Sequence, residues 1–320
     1  MAYISRRSFV LRSTAAMIGS AAFEVFPVIA TAARSSSGGP NIKFPSRASD
    51  RIVVSTWSFR EYIAGPGDDG RIHAGMSLVE FAADVRRRFG VPNIEPWNAH
   101  LQSRDAPSLE QIRKGVESAG SHVANLAVDE RGSYYDPDPA ARRVAIEARR
   151  KWVDVAADLE CSSIRTNMGR PRLGSPDVQL AAESLSRMAD YAARKNVVVN
   201  LENDDLVSED PFFLVKVIEK VNSPYVRALP DFCNSMVTGN ADFNYRAMRA
   251  MFAHAFSICH VRQQQTGDDG RVYTIDLQET FDILKQSGFC GYCSIEWAGG
   301  KGNVYDGTSE LVAQTLRFLG

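Results

Sequence analysis

Val197-Val198-Val199-Asn200-Leu201-Glu202 is a short apolar run that closes on a carboxylate. A run of this length, rich in β-branched residues, reads as a strand buried on both faces of a parallel sheet. Three further runs end in the same way: Tyr225-Val226-Arg227-Ala228-Leu229-Pro230-Asp231, Phe256-Ser257-Ile258-Cys259-His260 and Tyr292-Cys293-Ser294-Ile295-Glu296. Three hard oxygen donors and one imidazole, brought from four strand ends to one face of a sheet, are what a divalent cation needs in order to polarise a substrate oxygen.

Outward from these four, the same alternation continues along the chain. Strands are predicted near Ile52–Trp57, Asn93–Trp97, His122–Ala127, Ser163–Asn167, Val197–Glu202, Val226–Asp231, Phe256–Arg262 and Tyr292–Trp297. The segments between them place apolar residues three and four apart, as in Leu78-Val79-Phe81-Ala82-Val85 and Leu180-Ala181-Leu185-Met188-Ala189-Ala192, the spacing of amphipathic helices. Pro107 sits in the first turn of one of them; Gly120, Gly288 and Arg194-Lys195-Asn196 mark ends. Eight strand–helix pairs over about 270 residues fit an α/β fold, a single (β/α)8 TIM barrel. The competing doubly wound sheet with a dinucleotide site lacks its glycine-rich turn, because bulky Val54-Ser55-Thr56-Trp57-Ser58-Phe59 follows the first strand instead. In a parallel barrel every strand delivers its last residue to one rim. Glu202, Asp231, His260 and Glu296 therefore converge although 29, 29 and 36 residues separate them.

The chain ahead of the barrel reads differently. Ser5-Arg6-Arg7-Ser8-Phe9-Val10-Leu11-Arg12 puts paired arginines before a modestly apolar stretch that closes on Ala30-Thr31-Ala32. Residues 1–32 read as a twin-arginine-type signal peptide, whose export machinery carries proteins already folded, and imply a periplasmic or exported location. Residues 33–50, rich in Ser, Gly and Pro, read as a flexible leader, and residues 51–320 as the barrel. With 37 basic against 38 acidic residues the formal charge is −1, and no global field attracts nucleic acid. Cleavage after residue 32 removes three arginines and one glutamate and leaves −3. Five cysteines are an odd count, so at least one thiol is free or pairs between chains. Cys290-Gly291-Tyr292-Cys293 has redox-dithiol spacing but lies in a strand run rather than at a helix start.

The pieces Val199-Asn200-Leu201-Glu202-Asn203, Leu229-Pro230-Asp231-Phe232-Cys233-Asn234, Cys259-His260-Val261-Arg262 and Ser294-Ile295-Glu296-Trp297, in that order, resemble the xylose isomerase-like TIM-barrel superfamily, in particular its sugar phosphate isomerase/epimerase branch. The resemblance implies one divalent ion, Mn, Mg, Co or Zn, held by Glu202, Asp231, His260 and Glu296. It also implies that Glu202 and Glu296 flank the substrate carbon, one removing a proton beside a carbonyl and the other returning one. A cation on the carbonyl and its neighbouring hydroxyl stabilises the ene-diolate so formed. Two positions depart from the family pattern. His260-Val261-Arg262-Gln263 stands where relatives often carry His-x-Lys-Asp, exchanging a point charge for a planar fork, and Cys233-Asn234 stand where Gly-Asn or a histidine is common. The metal set is kept while the substrate-facing side has changed.

Around the cluster, Trp57 and Trp297 are expected as walls for the C–H faces of a sugar, and Asn234 and Arg262 as donors to its oxygens. Glu95 and Arg165, each near a strand end, read either as substrate contacts or as a rim pair with each other. His73 and His100 lie in loops on the same rim and could touch substrate; His122 and His254 read as structural or surface residues. The loops 133–139 and 263–271 have the turn composition of segments that close over a site. The expected ligand is a small carbohydrate, unphosphorylated if the protein is exported, and an oligomer is compatible with the sequence. Three readings compete: a metal-dependent isomerase or epimerase, with a lyase or dehydratase close behind; an abasic-site nuclease on the same barrel, which five histidines and no basic surface disfavour; and a sugar-binding barrel without turnover.

Overall fold

The computed structural model describes residues 38–67, 70–171, 174–267, 269–299 and 302–320. The signal read over residues 1–32 and the leader as far as residue 37 lie outside these described residues. Eight barrel strands follow the predicted runs: β1 Ile52–Ser55, β2 Asn93–Glu95, β3 in two pieces, His122–Val123 and Leu126–Val128, β4 Ser163–Thr166, β5 Val198–Glu202, β6 Val226–Leu229, β7 Ile258–Val261 and β8 Tyr292–Ile295. All neighbouring pairs run parallel. One arc runs β7-β8-β1-β2 and the first piece of β3; the other runs from the second piece of β3 through β4 and β5 to β6. Single bridges close the ring, Trp97 to Ala127 between β2 and β3, and Ala228 to Ala255 and Asp231 to His260 between β6 and β7. The structure is the (β/α)8 barrel that the strand count predicted.

The helices are α1 Leu78–Phe89, α2 Ala106–Ser118, α3 Pro139–Asp158, α4 Val178–Lys195, α5 Pro211–Val221, α6 Ala241–Phe252, α7 Leu277–Gln286 and α8 Val304–Leu319. Their starts are written in the sequence. Ser77 and Glu80 form a reciprocal capping box, and the side chains of Asp105, Asp138, Asp177, Asp210 and Asp276 accept from first-turn amides. Each such cap is worth about 1 kcal/mol. The ends use left-handed residues, Asn196 at φ 54° and Asn222 at φ 48°, which turn the chain back toward the next strand. The apolar faces so aligned pack on the outside of the strands as one continuous core.

The barrel floor has its own small cluster, Val53, Ala124, Leu229, Ile258 and Tyr292, against which Phe44 packs. Phe44 meets Phe256 and Tyr292 edge-on at centroid distances of 5.3 and 5.7 Å, and Asn41 exchanges two hydrogen bonds with Asn196. Within the stretch read as a flexible leader over residues 33–50, Asn41 and Phe44 are thus anchored to the barrel. The Ser-Gly-Pro bias conceals one aromatic and one aliphatic side chain that reach apolar surface. No helix among the described residues is long and apolar enough to cross a membrane.

Candidate metal centre

β5, β6, β7 and β8 each hand one side chain to the carboxyl-end rim. The bridge between Asp231 and His260 is fixed by two backbone hydrogen bonds, His260 N to Pro230 O at 3.0 Å and Phe232 N to His260 O at 3.1 Å. One ligand atom from each of Glu202, Asp231, His260 and Glu296 can be chosen so that all lie within 4.8 Å of one another, and all four residues are buried. Oxygen donors 2.3–2.6 Å from a shared cation lie up to roughly 5 Å apart, so the spacing suits one ion.

The donor chemistry fits as well. Asp231 Oδ1 accepts from the backbone amides of Cys233 and Asn234 at 2.8 and 2.7 Å, which aims the carboxylate. Asp231 Oδ2 is buried and makes no hydrogen bond, its nearest cationic group being Arg262 Nη1 at 3.7 Å, so it has a lone pair to offer an ion. Burial pushes the Asp231 pKa up to about 6; Glu202 and Glu296 add to this, while Arg262 and His260 oppose it. Burial works against a charged His260, but Glu95, Glu202 and Glu296 outweigh it and hold its pKa well above the ordinary value. His260 Nδ1 lies 2.8 Å from Glu202 Oε1, 3.7 Å from Glu296 Oε2 and 3.9 Å from Asp231 Oδ2. An excess of carboxylates around one imidazole leaves the cluster anionic, which attracts a cation.

Arg165, Asn234 and Arg262 stand beside the cluster. Arg165 Nε is 2.9 Å from Glu202 Oε2, and its Nη1 is paired with Asp129. Asn234 Nδ2 lies 3.4 Å from Glu202 Oε1, its Oδ1 accepts from Arg262 Nη1, and Arg262 Nη2 donates to Gln265 at 2.9 Å.

Several expectations are corrected. Glu95 does not pair with Arg165 and does not stand open at the mouth: it is fully buried behind His260, accepting from His260 Nε2 at 3.1 Å, Asn125 at 2.6 Å and Ser294 at 2.5 Å. Trp57 is buried with the Arg60 guanidinium 4.0 Å above its ring, so one face expected for sugar is taken. Trp297 lays its indole over α8 at Gly307, where no Cβ would fit. Both act at least in part as packing. The 133–139 loop is pinned rather than free, since Tyr134 and Tyr135 are buried and Arg149 lies 4.6 Å over the Tyr134 ring. In the 263–271 loop, Gln264–Thr266 pairs antiparallel with Val272–Thr274. His122 and His254 bond to Tyr292 and Glu219, as structural or surface residues do. Cys293 meets Cys259 at 3.8 Å rather than Cys290, so the dithiol spacing has no structural counterpart.

Residues that sequence reading passed over also surround the centre. Asn203 takes the Asp231 amide at 2.8 Å, Asp129 engages Arg165, and buried Glu209 accepts from the Met168 amide at 2.6 Å. Asn203 follows Glu202 directly, and a polar residue just past a strand end is the signal that could have found it.

The chain belongs to the xylose isomerase-like TIM barrel family, whose model matches residues 74–319. Solved structures that it resembles include the following three, at comparable levels. A xylose isomerase-like TIM barrel protein from Mycobacterium smegmatis in complex with magnesium has 16% identity and a TM-score of 0.64, over 86% of this chain and 98% of that one. A D-allulose 3-epimerase from Methylomonas sp. has 17% identity and 0.63, over 87% and 98%. A probable 3-DHS dehydratase from Bacillus anthracis has 14% identity and 0.60, over 82% and 97%. At these identities the likeness establishes the shared fold. None of the curated protein sequences compared with the chain matches it.

Proposed function

We propose that the protein is a divalent-metal-dependent sugar isomerase or epimerase acting through an ene-diolate on an unphosphorylated sugar, keto-sugar or cyclitol. The observation that carries this is the buried Glu202, Asp231, His260, Glu296 cluster, in which Asp231 Oδ2 makes no hydrogen bond. These four residues hold the ion, of the Mn, Mg, Co or Zn class. Bound there, a dication lowers the cost of negative charge developing on a substrate carbonyl and its neighbouring hydroxyl.

The chain's own residues then move the proton. The Glu296 carboxylate takes a proton from the carbon beside the carbonyl; the C–H electron pair becomes the C=C bond and the carbonyl π pair passes to oxygen. Glu202, protonated from solvent before the step, gives that proton to the opposite face, with Arg165 Nε 2.9 Å away stabilising the carboxylate left behind, and Glu296 then releases the proton it took to solvent. Arg262 and Asn234, paired with each other beside the cluster, orient hydroxyls. Both arginines at the site already face carboxylate or amide oxygens, which supports a neutral substrate over a phosphorylated one.

Elemental analysis of the purified protein is expected to find one divalent ion per chain, and a screen of sugars in D2O to find exchange at the carbon beside a carbonyl. Glu296→Gln keeps three ligands and should retain some metal while abolishing that exchange; exchange that persists would falsify Glu296 as the base. Elimination starts with the same proton removal, and the dehydratase among the structural relatives supports it as the second reading. Loss of water instead of an epimeric product identifies it. Tight sugar binding with metal present and no conversion points to a barrel that binds without turnover. Export in the folded state is proposed on Arg6-Arg7, and Arg6→Lys with Arg7→Lys is expected to retain the protein in the cytoplasm.

A further inference from the structure

The interior of a (β/α)8 barrel is usually packed with branched aliphatic side chains. Below the rim of this one lies a fully buried carboxylate, Glu95 at the end of β2, with polar neighbours from three other strands. Asn125 Nδ2 donates to Glu95 Oε1 at 2.6 Å and Ser294 Oγ to Glu95 Oε2 at 2.5 Å. Asn125 is itself held, its Oδ1 accepting from Ser163 Oγ at 2.6 Å. A buried carboxylate is costly unless satisfied, and this one is satisfied on both oxygens. Two of its three donors are neutral groups that keep it in place. The third is His260, whose Nε2 lies 3.1 Å from Oε1.

The consequence lies on the other side of the imidazole ring. A neutral imidazole carries one N–H and one lone pair, and a fixed acceptor beside one nitrogen decides which is which. Glu202 Oε1 also lies 2.8 Å from Nδ1, so carboxylates flank both nitrogens; when a cation displaces the Nδ1 proton, Glu95 holds the remaining proton on Nε2 and leaves the lone pair on Nδ1. Nδ1 is the nitrogen turned toward Glu202, Asp231 and Glu296. The geometry points to Glu95 as a positioning residue: through His260 it fixes the ring orientation and tautomer that present Nδ1 to a divalent cation. The inference rests on the metal centre proposed above. It replaces substrate contact as the role of Glu95, since the carboxylate is shut away beneath the histidine. Outer carboxylates of this type raise the basicity of the ligating nitrogen and typically change metal affinity by about 10–100-fold when removed.

The test measures binding of Mn2+ and Co2+ to the metal-free full chain by titration calorimetry, with the visible spectrum of the Co2+ form as a second readout. Glu95→Leu is expected to weaken Mn2+ binding by about 10–100-fold and to change the Co2+ spectrum as the nitrogen ligand is lost or reoriented. Glu95→Gln keeps an acceptor oxygen for Nε2–H without the charge, and is expected to recover most of the affinity and the wild-type spectrum. Recovery by Gln but not Leu is what a positioning role requires and what simple loss of packing does not give. If Glu95→Leu does not fold, Ser294→Ala, which frees one oxygen of the carboxylate, carries the comparison with an expected several-fold loss. Wild-type affinity in Glu95→Leu, or in Ser294→Ala if the Leu variant is insoluble, overturns the positioning role and leaves the metal centre standing. A wild-type chain that takes up neither ion overturns both.

Discussion

Arg165 Nε lies 2.9 Å from Oε2 of Glu202, and both side chains are 1% exposed. They stand at the ends of adjacent strands β4 and β5, so the parallel register that builds the barrel also builds the ion pair. Removing one partner of a buried pair strands the other charge, typically at a cost of about 3–5 kcal/mol. Arg165→Met is therefore expected to destabilise the metal-free protein by about that amount, read as a lower urea midpoint at unchanged m-value. A saturating divalent ion offers Glu202 another counter-charge, so the deficit should shrink when Mn2+ is added. Equal deficits with and without Mn2+ would argue that Glu202 does not face the ion.

The proton and the cation compete for the same atoms. Asp231, pushed up to about 6 by burial with Glu202 and Glu296 adding to it, is ionised at pH 7.5 and largely protonated at pH 5. His260, held well above its ordinary value, must also give up its Nδ1 proton before that nitrogen can ligate. Metal affinity should fall as pH falls, by about one decade per pH unit for each proton displaced, becoming steeper below about pH 6. Titrations with Mn2+ at pH 7.5, 6.5 and 5.5 in two buffers of different ionisation enthalpy give both the slope and the protons released. A dissociation constant that does not change across this range contradicts a site made of these groups.

The barrel was legible because strand ends repeat: Glu202, Asp231, His260 and Glu296 each follow a short apolar run, and strand order alone carries them to one rim. What lies behind the rim was harder to read. Glu95 and Arg165 look alike in sequence, charged residues near strand ends, yet one is buried beneath His260 and the other pairs with Glu202. Sequence position does not say which way a side chain leans once the barrel shears. Asn125, Ser163 and Ser294 are single polar residues within apolar runs, ordinary enough to pass over; only their contacts with one another and Glu95 reveal a network. Phe44 lay in a segment whose Ser-Gly-Pro composition concealed its place on the floor.

His100 provides a separate pH test away from the four candidate ligands. It is buried beside Thr56, with Nδ1 2.9 Å from Thr56 Oγ1 and its ring edge-on to Trp97. Burial first, and the nearby Arg60 charge second, lower its pKa from 6.5 to about 4. The unfolded chain takes up the proton near pH 6.5 and the folded one does not until about pH 4. The stability His100 contributes is thus fully present above 6.5 and is lost as pH falls between those values. The slope is about 1.4 kcal/mol per pH unit and the whole effect on the order of 3 kcal/mol. Other groups titrate in the same range, so the measured quantity is the difference between wild type and His100→Gln in urea unfolding at pH 7, 6 and 5. The two curves should converge toward acid; parallel curves show that His100 does not titrate as its burial implies.

Arg149, on α3, is fully buried and spends its guanidinium on backbone carbonyls. It donates to the carbonyl oxygens of Glu130, Arg131, Gly132, Ala145 and Asn167 at 3.0–3.2 Å, to Thr166 Oγ1 at 3.0 Å and to Asn167 Oδ1 at 2.9 Å. Apart from Ala145 on α3 itself and Thr166 at the end of β4, these partners belong to the loops after β3 and β4, the first of which carries Asp129, the outer partner of Arg165. Burial lowers the Arg149 pKa without removing its charge, so the carbonyl dipoles carry the solvation that water would give. Arg149→Met fills most of the volume but takes a donor from each of those carbonyls, leaving those of Arg131 and Gly132 with least compensation, at about 1–3 kcal/mol for each left unsatisfied where water cannot reach. Amide hydrogen exchange over residues 130–134 and 167–168 should accelerate strongly in this variant while the strand amides of β5 and β6 stay protected. If exchange instead rises evenly across the barrel, Arg149 supports the fold as a whole and does not clamp those two loops.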